Sequence, residues 1–335
     1  RELMELHTLG VNGGYTQQDI IEVAKCFTGW TVADWRGFQK LNSVISGNSN
    51  ARMNPGIPSD VESGEFYFNR NWHDNGDKTV LGNKIKAEGM NDGLQVLDIL
   101  VKHPSTAKFI ARKLVIKFVS DSPSEALIDR IAEAFSKSNG DIKTTLRVLF
   151  NDEEFFAPEN YRAKIKSPFE LAVSSIRALG AETDSNPMLL GLLNKMGEIP
   201  YGYQAPTGYG DTAEMWVNTG ALIERLNFAI AFSSNRIPGT KVDLKKFESK
   251  DKEKILDTAI AKILDNDISI TTKANLLNQL AQPLPEAVAG TDLTEEAGTM
   301  RGRQNQPNRL LEPSGNPDVY KIVSLVLGTP EFQRQ

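Results

Sequence analysis

The sequence is poor in the two residue types that carry most metal and redox chemistry. Its 335 residues include one cysteine, Cys26, and three histidines. A single cysteine excludes an internal disulfide and any cysteine-based zinc site. There is no excess of positive charge. Lysine and arginine number 38 against 43 aspartates and glutamates, a net charge of -5. A general nucleic-acid binder needs a basic face to displace counterions from phosphates, and this composition does not supply one. No apolar run approaches the roughly 20 residues of a membrane-spanning helix. Also missing are the phosphate-binding glycine loop, the G-x-S-x-G elbow, H-E-x-x-H and C-x-x-C. "GVNGG" at Gly10 to Gly14 lacks the strand, lysine and helix context of a phosphate loop.

What is present is helical period with the punctuation that starts and stops helices. Thr16 stands before "QQDIIEVAKCF" with Asp19 three residues on, a capping-box pattern. "SPFELAVSSIRALG" carries a Ser167 cap, Pro168 in the first turn and Gly180 as a stop. "SPSEALIDRIAEAFSKSNG" has the same grammar, with Ser122 as the expected cap. "DTAEMWVNTGALIERLNFAIAF" reads as the longest helical stretch, capped by Asp211 or Thr212, and His103 reads as a cap ahead of Pro104. A faint repeat pairs "LRVLFNDEEFFAP" with "VSLVLGTPEFQRQ", each a helix stop followed by a Glu-Phe turn. The pattern predicts a mainly α protein, a multi-helix globular array with one small β-hairpin near residues 65–82. A single helical domain over 1–335 is expected. The segments 47–64 and 290–317, rich in turn residues, read as irregular loops. "RELMELHTLG" places Leu3, Leu6 and Leu9 at helical spacing from the first residue, so upstream sequence is expected.

"NWHDNGDKTVLG", from Asn71 to Gly82, gathers His73, Asp74, Asp77 and Lys78 around an Asn-Gly pair. Asn75-Gly76 is a strong signal for a type I′ hairpin turn. In that register His73 and Lys78 share one face, and Asp74 and Asp77 share the other. The bland reading is a solvated hairpin tip with Asp74 bonding its own turn. The sharper one makes His73 an acid or base, with Asp74 or Glu5 as partner and Lys78 beside a developing anion. The hairpin geometry weakens the sharper reading by placing His73 and Asp74 on opposite faces. Glu2, Glu5 and His7 could begin a metal set only with ligands from elsewhere. A helix surface with an Arg1–Glu5 ion pair accounts for them, so neither metal nor cofactor is expected. "PYGYQAPTGYGDTAEMW" packs Tyr201, Tyr203 and Tyr209 ahead of Trp216, which suits stacking on a ligand or anchoring a loop.

"RELMELHTLG", "AKCFTGW", "HDNGDKTVLG", "HPSTAKFIARKL", "KSPFELAVSSIRALGA", "APTGYGDTAEMWVNTGALIERLNFA" and "GTPEFQRQ" occur in this order from Arg1 to the chain end. Together they resemble the bacterial domain-of-unknown-function 1800 family. The resemblance implies a helical, often exported protein, periplasmic or extracellular, of which this chain is the C-terminal part. It also implies a possible partner, a sulfatase- or phosphatase-like protein of the domain-of-unknown-function 1501 family. The matching motif positions are Glu2, Glu5, Trp30, His73, Asp74, Gly76, Lys78, Pro206, Gly208, Trp216 and Asn218, none with an assigned role. Family members need not carry an acid at Asp77, which weakens a paired-carboxylate cation site. The function expected is that of an accessory or binding protein acting with a partner enzyme or at the cell surface. The alternatives are a hydrolase of extracellular polymer or phosphate or sulfate ester centred on His73, and a structural subunit of a surface assembly.

Overall fold

The helix signals read above become helices because their ends are capped by side chains. The computed structural model of the chain describes residues 1–32, 64–282 and 310–335. Among them are fourteen α-helices and three two-stranded antiparallel sheets, the mainly helical architecture with a small hairpin that the sequence predicts. Of the irregular loops expected at 47–64 and 290–317, residues 47–63 and 290–309 lie outside the described residues. The described residues group into two compact units, Arg1–Leu114 with Ser124–Asn151, and Val115–Pro123 with Asp152–Gln335.

In the first unit, helix Gln17–Cys26 opens with the full capping box. Thr16 Oγ1 accepts from Asp19 N at 3.1 Å, and Asp19 Oδ2 accepts from Thr16 N at 2.8 Å. The other oxygen of Asp19 accepts from Leu81 N at 2.7 Å, so one cap also ties down a turn 62 residues away. The core of this unit joins Met4, Val23 and Cys26 to Val80, Ile85, Val96 and Leu100. Helix Glu125–Lys137 starts at Ser124, two residues later than expected, because Ser124 Oγ rather than Ser122 accepts from Leu127 N.

The hairpin also differs in detail. Lys78–Val80 pairs with Asn83–Ile85 around Leu81 and Gly82, whose φ values of 49° and 76° are those of a type I′ turn. Asn75-Gly76 is not that turn; Gly76 N instead donates to Asp74 Oδ1 at 2.9 Å. Phe66–Phe68 pairs with Trp30–Val32.

In the second unit, helix Pro317–Leu327 lies in the core, with Ile322, Val323 and Val326 fully buried. It packs against Thr219–Ser233 and Lys252–Leu264. The long stretch expected from Asp211 onward is two helices, Ala213–Trp216 and Thr219–Ser233. Asn218 adopts extended backbone and accepts from Ala221 N at 2.9 Å, which starts a new helix there. The chain end pairs back on Lys164–Lys166 through Ile165 and Arg334. Arg225, 2% exposed, holds both strands of this bridge through Lys166 O at 2.7 Å and Gln333 Oε1 at 2.8 Å.

Candidate functional site

His73 follows the short turn Arg70–Trp72 and is drawn inward by Thr28. Thr28 O lies 2.8 Å from His73 Nδ1, and a carbonyl can only accept, so Nδ1 carries a proton. Thr28 Oγ1 in turn accepts from Asp74 N at 2.9 Å. The other ring nitrogen, Nε2, lies 3.1 Å from Asp92 Oδ2 and 3.5 Å from Lys78 Nζ. Lys78 donates to Asp92 Oδ2 at 2.7 Å and to the backbone oxygen of Asp74. Asp92 completes its set by accepting from Glu88 N at 2.7 Å.

Burial pushes the Asp92 carboxyl up, but the bonds from Lys78, Glu88 N–H and His73 outweigh it and hold the group below the usual aspartate value. Its place in the first turn of helix Asn91–Lys102 also favours negative charge. Cys26 shares this interior. Burial pushes its thiol up to about 11, against the pull of Lys78. Phe68 closes one side with its ring 5.4 Å from the imidazole.

The side chains of His73, Lys78 and Asp92 are all 0% exposed. Of the four residues read as catalytic, the structure brings His73 and Lys78 together. Asp74 contributes its backbone; its carboxylate, 40% exposed, is 3.8 Å from Lys78 and is held below the usual range chiefly by Gly76 N–H. Glu5 is elsewhere, bonded to Tyr15 OH at 3.0 Å and paired with Arg1 at 3.5 Å. The sequence reading missed Asp92 and Thr28. An acid opening a helix is expected for the dipole alone, and only its neighbour Gly93 hinted at close packing. A Cβ there would meet the Trp30 indole at 2.5 Å. Among the described residues no group of three His, Cys, Asp or Glu side chains is placed to hold a metal ion.

The tyrosine loop belongs to the second unit and divides into anchors and exposed residues. Trp216 is buried, with Tyr209 tilted over it at 5.4 Å and Tyr203 over Tyr209 at 4.5 Å. Tyr209 OH accepts from Ile199 N at 2.8 Å. Tyr203 is partly exposed, and Tyr201 stands fully in solvent at a positive φ of 58°. Beneath Tyr209 and Trp216 lies a small polar cavity of about 100 Å³ lined by Lys117, Lys164, Glu170 and Asp211. Lys117 bonds Glu170 at 2.8 Å, and Lys164 pairs with Asp121 and the backbone oxygen of Asp211.

The motif order agrees with a family comparison. The family described as "Protein of unknown function (DUF1800)" matches residues 1–334. The chain belongs to the DUF1800 family. No curated protein and no solved structure matches it. In this DUF1800 chain no helix among the described residues is long and apolar enough to cross a membrane.

Proposed function

We propose that this DUF1800 chain is an exported accessory or binding protein that acts with a partner enzyme or at the cell surface. The observation that carries the reading is the closure of the His73 cluster. An acid or base must come within hydrogen-bond reach of the substrate proton it moves. Every polar atom of the His73 and Lys78 side chains faces Thr28, Asp74 or Asp92 instead. The cluster acts as an interior lock that fixes the 69–78 segment to helix Asn91–Lys102. The exposed aromatics lie in the other unit, on Tyr201 and Tyr203. The hydrolase reading needs His73 open to a substrate, and no observation favours the surface-subunit reading.

The test pairs two measurements. The purified chain is assayed on p-nitrophenyl sulfate and phosphate, alone and as His73→Gln. It is then mixed with a DUF1501 protein from the same source and followed by sedimentation velocity. No turnover by the chain, with a joint sedimenting species, is the expected result. Turnover that His73→Gln abolishes replaces the accessory reading with the hydrolase one. Separate sedimentation overturns the partner assignment.

A further inference from the structure

A second, larger cleft of about 660 Å³ opens in the same unit as the tyrosine loop. That volume lies within the ~300–1,000 Å³ of small-ligand sites. Phe118, Phe155, Phe156 and Tyr161 supply its apolar walls. Phe156 is 73% exposed and Tyr161 65%, so the aromatic surface is open to a visitor. Charge gathers on the remaining wall, where Lys117, Arg162 and Lys164 stand against one carboxylate, Glu170. Lys164 is paired with Asp121, Arg162 with Asp267, and Lys117 also lies 4.0 Å from Asp211, three acids outside the cleft wall. Of the three cations Lys117 keeps the most exposed side chain, 42% against 21% for Arg162 and 6% for Lys164, so it is the charge an entering group meets first.

The walls are held in place before any ligand arrives. Asp267 accepts from Tyr161 OH, while its backbone oxygen takes Arg162 Nη1 at 2.9 Å and its carboxylate pairs with Arg162 Nη2 at 3.2 Å. Arg162 sits at φ 53°, a conformation that L side chains seldom adopt and that these bonds impose. Phe155 and Phe156 pack edge to face at 5.0 Å. Asn160 Nδ2 donates to Glu154 O at 2.6 Å and joins the two short turns that carry the aromatics. Lys117 gives one proton to Glu170 and keeps its side chain 42% exposed, so its remaining donors reach the cleft.

We propose that this cleft binds a single-chain amphiphile with an anionic head, of the class of a medium-chain carboxylate. The chain lies against Phe118, Phe155, Phe156 and Tyr161, and the carboxylate meets Lys117 and Arg162. Aromatic walls favour an apolar body over a sugar rich in hydroxyls, and the exposed Lys117 ammonium selects the sign of the head. The site gives the binding role a ligand class, and it rests on the reading of the chain as a binding protein. It needs no partner enzyme, so its failure is separable from failure of the partner assignment.

The experiment is calorimetric titration of the intact chain with monomeric dodecanoate, dodecanol and dodecyltrimethylammonium. Parallel titrations use Phe156→Ala and Lys117→Gln. Phe156 is solvent-exposed, so its replacement leaves the fold intact, and circular dichroism confirms this. The expected result is one saturable dodecanoate site, weakened about tenfold or more by Phe156→Ala. Lys117→Gln is expected to bring dodecanoate and dodecanol toward equal affinity. Four results would overturn the proposal: no saturable binding up to about 1 mM, equal binding of all three head groups by wild type, dodecanoate binding unchanged in Phe156→Ala, or association only with phosphatidylglycerol vesicles. The last would make the face a membrane-docking surface instead.

Discussion

Lys78 in the first unit and Lys117 in the second each meet a carboxylate at nearly the same distance, 2.7 Å to Asp92 and 2.8 Å to Glu170. Their surroundings separate them. Lys78 is 0% exposed, whereas Lys117 is 42% exposed and lines an open cleft. Attraction between exposed charges is screened, and such pairs contribute about 0–1 kcal/mol. In a buried pair each charge has already lost its water, so neither partner can be removed without stranding the other. The difference teaches that chemistry-bearing residues in a motif are not a site unless something can reach them. His73 and Lys78 stand in the most suggestive stretch of the sequence and serve the interior. Lys117 stands in an ordinary helical stretch and faces a space where a ligand fits.

The comparison can be broken most forcefully at Lys78. Lys78→Met leaves Asp92 charged in the interior and is expected to cost about 3–5 kcal/mol in urea unfolding. Lys78→Met with Asp92→Leu removes both charges and is expected to recover most of that loss. Equal instability of the single and double variants would mean that Lys78 acts through packing. Acid sharpens the same point. Asp92 is held below the usual aspartate value in the folded chain, while unfolding returns it to about 3.9. The stability it contributes is therefore complete above that value and drains away as pH falls through the folded one. Asp92→Asn is expected to flatten the acid limb of the stability profile relative to wild type.

Much of the fold was legible because helix ends are local. Thr16 with Asp19, and Ser167 with Pro168 and Gly180, announce themselves within a few residues and appear as read. The hairpin turn did not, for a physical reason. Asn75-Gly76 has the better local chemistry for a type I′ turn, and leucine is a poor residue at positive φ. Leu81 takes that conformation because its side chain packs against the core of the first unit and its N–H meets Asp19. The hydrogen bond comes from helix Gln17–Cys26, far away in sequence. Asn218 shows the reverse error: a local cap was read through as helix because the apolar period continues past it. For the candidate sites, His73, Lys78 and the tyrosines could be seen as residue types. The burial of His73 and Lys78 depended on Thr28 and Asp92, which look like ordinary helix-end residues. The 660 Å³ cleft draws on residues from 117 to 335, and no single stretch carries its signal.

A smaller effect tests the wall of the closed cluster. Gly93→Ala places a Cβ 2.5 Å from the Trp30 ring, which Phe27 and Phe66 hold edge-on at 4.9 and 5.2 Å. Overpacking costs about 1–3 kcal/mol, and the better helix propensity of alanine returns about 1 kcal/mol. The expected net loss is about 1 kcal/mol, read from the unfolding midpoint at unchanged denaturant slope. A gain in stability would show that the Trp30 side of the cluster is loose.

The smallest expected effect is the one that completes the contrast. Phe156→Ala deletes a large aromatic side chain, as severe a truncation as any in the closed cluster. Because Phe156 is mostly in solvent already, little apolar surface returns to water on folding when it is lost. The stability change is expected to fall within about 0.5 kcal/mol, even as dodecanoate affinity falls. A residue that costs nothing to the fold and much to binding belongs to a site. A loss of several kcal/mol in the same variant would instead make the aromatic wall part of the core, and the cleft would then be as closed in function as the space around His73.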